Sequence, residues 1–117
     1  MALSDEYLCI YVVDPETEEY FEYDASSDYA NLEIAGKGTG FFARALEESE
    51  RVIHHDDLPT LADQFTKENV LSTIRADGNF TLRYRLMMQS GPVPVRLKAA
   101  LVEEQEGPRL ILGVTRA

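Results

Sequence analysis

From Phe80 to Arg116 apolar and polar residues alternate in three consecutive runs, a pattern that few folds accept. In the first run, Phe80 to Gln89, Phe80, Leu82, Tyr84, Leu86 and Met88 fall on one side and Thr81, Arg83, Arg85 and Met87 on the other. Ser90-Gly91 makes a turn. Val93, Val95, Leu97, Ala99 and Leu101 then line one side opposite Arg96 and Lys98. After a second turn, Gln105-Glu106-Gly107-Pro108, the run Arg109–Arg116 sets Leu110, Leu112 and Val114 to one side. A period of two places successive side chains on opposite faces of a strand. Connections this short join only antiparallel neighbours. The three runs therefore predict a meander with an aliphatic face and a basic face. Pro92 and Pro94 near the start of the second run lack a donor, which an edge or a strand end tolerates.

The upstream half predicts the partners of this meander. Tyr7 to Asp14 is rich in β-branched and aromatic residues and reads as a strand. Asp14-Pro15-Glu16-Thr17 is turn chemistry. Glu19 to Asp24 alternates, with Phe21 and Tyr23 on one face and Glu22 and Asp24 on the other, which completes a hairpin. Ser26, Ser27 and Asp28 suit the start of a short helix carrying Tyr29, Leu32 and Ile34. Gly36-Lys37-Gly38-Thr39-Gly40 reads as a flexible linker, with Thr39 the expected cap of a helix from Phe41 to about Glu50 on which Phe42, Ala45 and Leu46 share a stripe. Asp56 and Asp57 before Leu58-Pro59 mark another helix N-terminus, where carboxylates meet the positive end of the dipole and proline is tolerated. Leu58, Leu61, Ala62 and Phe65 share one face, but that face continues to Asn69, and Val70, Leu71 and Ile74 lie elsewhere. The slip in phase predicts either a break near Thr66, with Thr66 capping a second helix, or one bent helix. Asp77-Gly78 ends the helical part. Five antiparallel strands with short helices packed on one face make an α+β fold, and residues 1–117 make one domain.

Charge narrows the partners. The chain carries −10, distributed as −12 over residues 1–57 and +2 over residues 58–117. An acidic surface argues against nucleic acid and against an anionic membrane face, and no apolar run approaches a membrane span. The single cysteine, Cys9, with no basic-then-apolar leader, fits a reducing cytoplasm. On the basic face of the meander Arg83, Arg85, Met87, Arg96, Lys98 and Ile111 are the candidate interface residues, a mixed apolar and basic surface suited to the acidic half of a second copy. The alternative is a solvated outer face.

The chain resembles a PAS domain, the sensory module of bacterial signalling proteins. Ile53-His54-His55-Asp56-Asp57 resembles the family's hydrophobic-His-Pro-x-Asp lead into its helical segment, with His55 where proline is common. Phe80-Thr81-Leu82-Arg83-Tyr84-Arg85-Leu86 resembles its Phe…Tyr-Arg-Leu strand. The strand after Ser90-Gly91 and the last strand through Leu112-Gly113-Val114 fit its closing meander. The resemblance implies a sheet folded around the helices with a small cavity between, which the family fills with flavin, haem, small metabolites or its own side chains. It implies an outer sheet face packed on flanking helices or on a second copy, and an effector downstream such as a diguanylate cyclase or a histidine kinase. The Asp-x-Thr linker element that often follows the last strand is missing, and the chain stops about where it would begin, so the expectation is a domain excised from a longer signalling protein.

Other chemistry is sparse. His54 and His55 are the only histidines, too few with Cys9 to compose a zinc site. They precede the helix, whereas haem-binding members ligate iron from within the helical segment, so haem is disfavoured. Flavin adducts in the family need an Asn-Cys-Arg-Phe-Leu-Gln helix segment that this chain lacks, so flavin is disfavoured as well. The glycine-rich stretch fails the phosphate-loop spacing. Asp56 or Asp57 with His54 or His55 would suit acid–base catalysis, although helix capping explains them more simply. The expectation is a non-catalytic sensory and dimerisation module, with Phe42, Leu61, Phe65, Leu71, Leu82, Tyr84 and Leu97 as candidate cavity residues and no identified cofactor. The alternatives are a structural interaction module with a filled core and a small α+β acid–base enzyme.

Overall fold

The three alternating runs form the right half of one sheet. In the computed structural model, which describes residues 7–24 and 34–117, β4 (Phe80–Met88), β5 (Gly91–Glu104) and β6 (Gly107–Arg116) pair antiparallel in sequence. β1 (Tyr7–Val13) pairs antiparallel with β6, β2 (Tyr20–Asp24) with β1, and β3 (Ile34–Gly38) with β2. The order across the sheet is β3-β2-β1-β6-β5-β4, so the first and last strands meet at its centre. The α+β expectation holds, with six strands where five were expected.

The sixth strand is the glycine-rich stretch read as a linker. Gly36 and Gly38 lie opposite Glu22 and Tyr20 of β2. A Cβ at Gly38 would meet the Tyr20 hydroxyl at 3.0 Å, so the missing side chain lets the strand lie beside that ring. The helix expected at Ser26–Ile34 falls largely outside the described residues; Ile34 itself begins β3.

α1 (Phe41–Val52) follows Gly40, whose left-handed φ of 65° turns the chain into the helix. Thr39 does not cap it. Glu18, in the turn between β1 and β2, takes that role from a distance: its carbonyl accepts from the Phe41 N–H and its Oε1 from the Phe42 N–H, both at 3.3 Å. Glu18 itself has a left-handed φ of 63°, and Lys67 lies 3.8 Å from its carboxylate. Phe41, Phe42 and Ser49 are the buried residues of α1, with Ala45 and Leu46 packed at the margin of the core.

The phase slip near Thr66 is a break. α2 (Leu58–Gln64) ends at Phe65, and α3 (Lys67–Asp77) begins after Thr66, whose hydroxyl accepts from the Asn69 N–H at 3.1 Å. Asn69 occupies the position that the α2 face would have continued to, and its side-chain amide donates to the Gln64 carbonyl at 2.8 Å, closing the end of α2. Gly78, φ 92°, ends α3 as Asp77-Gly78 predicted.

The core fills the inner face of the sheet and the helices laid on it. Val13, Val70, Val95, Leu110 and Leu112 are fully buried. An aromatic chain runs through it: Phe41 meets Phe42 at 5.2 Å between ring centroids, Phe42 meets Phe65 at 5.1 Å, and Phe65 meets Phe80 at 6.3 Å. Arg83, Arg96 and Lys98 are exposed, alternating with buried Leu82, Val95, Leu97 and Ala99. Replacing Thr66 by alanine removes the cap of α3 and is expected to cost ~1 kcal/mol in urea unfolding at unchanged m-value. Wild-type stability in that variant would show that the break does not depend on the cap.

Candidate ligand cavity

The cavity is built where the helical segment meets the outer edge of β4. An edge strand presents unpaired N–H and C=O groups, and at Arg85 both are taken by the residues between α1 and α2. The His54 N–H donates to the Arg85 carbonyl at 2.8 Å, and Ile53 forms a bridge with Leu86. One carboxylate oxygen of Asp57 accepts from the Arg85 backbone N–H at 2.9 Å and from Nε at 3.0 Å; the other accepts from Nη2 at 2.8 Å. Asp57 therefore does not cap α2 with its side chain, as its position before Leu58-Pro59 suggested. Its proximity to a helix start is real, but a fork of guanidinium plus a strand amide offers it three donors. The capping side chain here is His54, whose Nδ1 accepts from the Asp56 N–H at 3.1 Å at the start of a 3-10 turn, His55–Asp57.

Arg85 is consequently withdrawn from the basic stripe. Its opposite residue on β5 is Pro94, whose missing N–H costs the β4 ladder nothing, because Arg85 turns its own N–H and C=O outward to Asp57 and His54. The Pro94 carbonyl accepts from the Ala117 N–H at 3.0 Å on its other side. β5 lies inside the sheet, so the prolines sit not on an edge strand but at the strand's start, beyond or at the limit of β6. Arg85's side-chain hydrogen bonds hold the Asp57 carboxyl below the usual carboxylate range, against a smaller opposing effect of burial. Asp57 in turn raises Arg85.

Behind this junction lies a half-open cavity of about 420 Å³ between α1, α2 and the inner face of the sheet. Ile53 and Leu86, the bridged pair, form part of its wall. Of the expected cavity residues, Leu61, Phe65, Tyr84 and Leu97 line it; Phe42, Leu71 and Leu82 are buried in the core away from its wall. Phe42 meets the rings of Phe41 and Phe65, and Leu71 borders a shallow hollow on α3 instead.

The polar part of the wall was missed. Cys9 and Tyr11 from β1, Tyr20 and Glu22 from β2, and Arg44, Glu48 and Ser49 from α1 all reach it. Alternation placed Glu22 opposite Phe21 and Tyr23, and the structure turns Tyr20 and Glu22 inward while Phe21 is exposed. Tyr11 and Glu22 face each other in register. Burial, reinforced by Cys9 and Glu22, pushes the Tyr11 phenol well above its ordinary value; burial and Cys9 do the same to Tyr84. Both phenols are therefore neutral hydrogen-bonding groups at any ordinary pH.

The remaining expected site residues lie elsewhere. Arg83 and Arg96 stand directly opposite each other on the outer face, Lys98 follows, Met87 is exposed and Ile111 half-buried. None of Arg83, Arg96 and Lys98 makes an ion pair among the described residues. His54, His55 and Asp56 do not line the cavity. Among the described residues no three His, Cys, Asp or Glu side chains gather as metal ligands, and no helix is long and apolar enough to cross a membrane.

No family model and no curated protein matches the chain. Solved structures do. A sensory box histidine kinase/response regulator from Burkholderia thailandensis E264 is 13% identical, with 93% of this chain and 76% of that one covered and a TM-score of 0.48. An RNA-binding light-oxygen-voltage receptor is 18% identical with a TM-score of 0.51; the match covers 91% of this chain but only 28% of the receptor. The PAS domain of a Desulfitobacterium hafniense protein is 13% identical, with 98% and 97% covered and a TM-score of 0.38. The similarity to the receptor establishes a fold, and that fold is of the PAS type.

A group whose folded pKa is depressed stabilises the fold above its unfolded value and loses that contribution as pH falls through the folded one. Replacing Asp57 by asparagine should therefore cost ~1 kcal/mol at pH 7, discounted for a pair whose side chains are 39% (Arg85) and 21% (Asp57) exposed. The difference from wild type should shrink as pH falls below the ordinary aspartate value of about 4. Urea titrations across that window check it, and a constant offset would show that Asp57 acts without its charge.

Proposed function

We propose that this chain is a non-catalytic sensory module of a bacterial, cytoplasmic signal-transduction protein, binding a small molecule in the cavity between sheet and helices. The cavity itself carries the reading. At about 420 Å³ it falls within the ordinary range of small-molecule sites, and its walls come from both ends of the chain as well as its middle. A filled core would support the structural alternative instead. The acid–base alternative loses its support because His54, His55 and Asp56 stand outside the cavity.

The route from ligand to signal runs through Ile53 and Leu86. A ligand that displaces either changes the bridge between them, and with it the hold of residues 54–57 on β4. Binding shifts a population only to the extent that it favours one arrangement. The strand edge at Arg85 is the element that such a shift would loosen or tighten, and an effector domain in the full-length protein is the proposed recipient. Nucleic acid is not the proposed partner, given a net charge of −10.

For the homodimer, the supporting feature is the outer face of the sheet. Val12, Phe21, Ala100 and Ile111 stand in one cross-strand row, with Val102 beside it and Arg83, Arg96 and Lys98 farther along. Phe21 is 42% and Val102 44% exposed. Helices cover the opposite face, so this row has no cover among the described residues.

Native mass spectrometry of the purified protein is expected to show a dimer with a retained small molecule; a bare mass on both counts would sink the reading. Replacing Ile111 by glutamate should weaken dimerisation at least about tenfold in sedimentation while leaving the fold intact. An unchanged sedimentation profile would remove the outer face as the interface. Arg85 is a poor test of the same idea, since its reversal also breaks the pair with Asp57.

A further inference from the structure

The cavity wall is mostly apolar, and its floor is aliphatic. Leu97 and Val114 lie side by side on β5 and β6, and Leu61 and Phe65 close the space from the helical side. Tyr11 and Tyr20 each bring a ring within 5.3 Å of Phe41, measured between centroids, so one end is aromatic. Three charged residues reach the wall, and none is set inside it to receive a charged ligand. Glu22 is already engaged by interactions of its own. Arg44 and Glu48 are exposed on α1, where water screens them, and Glu48 also pairs with Arg51. A charged head group taken into this space would exchange its hydration for rings and aliphatic chains.

Two phenols supply polarity without charge. The Tyr11 hydroxyl has a hydrogen-bond partner in Cys9, on the same strand. Tyr84, on β4, has none: among the described residues nothing hydrogen-bonds with its hydroxyl, and no buried side-chain oxygen or nitrogen is sealed away without a partner. The Tyr84 hydroxyl therefore opens on the cavity that its side chain lines. Burial, with a smaller contribution from Cys9, keeps it protonated. A protonated phenol has one O–H to donate, and donation to an acceptor inside an apolar space replaces the bond that water would otherwise make.

We infer that the cavity selects an uncharged molecule, an apolar body carrying a carbonyl group, with the Tyr84 O–H donating to the carbonyl oxygen. The inference rests on the cavity being a ligand site. The apolar body lies over Leu97 and Val114, against Leu61 and Phe65. Tyr84 shares a strand face with Leu86, which is bridged to Ile53, so a ligand held at that hydroxyl sits beside the junction between β4 and the helical segment.

NMR titrations of the isotope-labelled chain with four probes built on one ring separate the possibilities: acetophenone, ethylbenzene, benzoate and benzylamine at matched ionic strength. Acetophenone is expected to bind about fivefold tighter than ethylbenzene, and both tighter than either charged probe. Tyr84→Phe should bring acetophenone down to the affinity of ethylbenzene, with circular dichroism confirming that the variant folds. Equal binding of acetophenone and ethylbenzene to the wild-type chain, tighter binding of benzoate or benzylamine, or an acetophenone advantage that survives Tyr84→Phe overturns the selection and leaves the cavity a ligand site. If no probe binds, the native mass spectrum decides. A retained uncharged carbonyl compound supports the inference, and any other retained molecule overturns it while the sensory reading stands. Absence of both binding and retained molecule overturns the two together.

Discussion

The contact between Asp57 and Arg85 settles where the helical layer sits on the sheet. A carboxylate that takes a strand amide and a guanidinium together does two things that neither bond does alone. It satisfies the outward N–H of Arg85 on the exposed edge of β4, and it ties the N-terminus of α2 to that edge. Leu61 on α2 and Phe65 at its end line the cavity from one side, and Ser49 and Val52 on α1 from another. The partner on the neighbouring strand is a proline, which needs nothing from Arg85 and leaves both of its backbone groups available for residues 54 and 57. Sequence, edge chemistry and cavity geometry agree at this point, the kind of mutual support expected of a well-specified fold.

Much of this fold is legible in the sequence because its signals are local. Three alternating runs and two glycine turns give β4, β5 and β6 without any knowledge of their neighbours. The phase slip at Asn69 marks a break or a bend near Thr66, and Asp77-Gly78 gives the end of α3. What was not legible depends on partners distant in sequence. Glu18 caps a helix that begins 23 residues later, and a local reading turns to Thr39 instead. The stretch around Gly36 reads as a linker until Tyr20 lies alongside it. Asp57 reads as a cap because the residue that claims it, Arg85, is 28 residues away.

The cavity shows the same division. Leu61, Phe65, Tyr84 and Leu97 are apolar-face residues that end up at the wall, while Phe42, Leu71 and Leu82 obey the same periodicity and are covered by other side chains. Periodicity reports which face a residue occupies, not what lies in front of it. The polar wall was hidden for a different reason. In β2 the more hydrophobic alternate set, Phe21 and Tyr23, lies on the outer side, and the set with Tyr20 and Glu22 faces inward. A strand with aromatic residues on both faces leaves the choice to its neighbours, and only the pairing of Tyr11 with Glu22 resolves it.

The meeting of β1 and β6 at the centre of the sheet has a consequence for how the chain comes into being. Tyr11 and Leu112 lie side by side in register though 101 residues apart. A chain emerging from the ribosome carries the β1–β2 hairpin with one flank bare until the other strands of this sheet have been made, because the strand that covers it is the sheet's last in sequence. Pairings of such long separation demand loop closure before they return any stability, which slows folding and lengthens exposure of the unfinished edge. The meander β4–β5–β6, assembled from adjacent segments, is the part able to form first, and the hairpin then docks onto its completed flank.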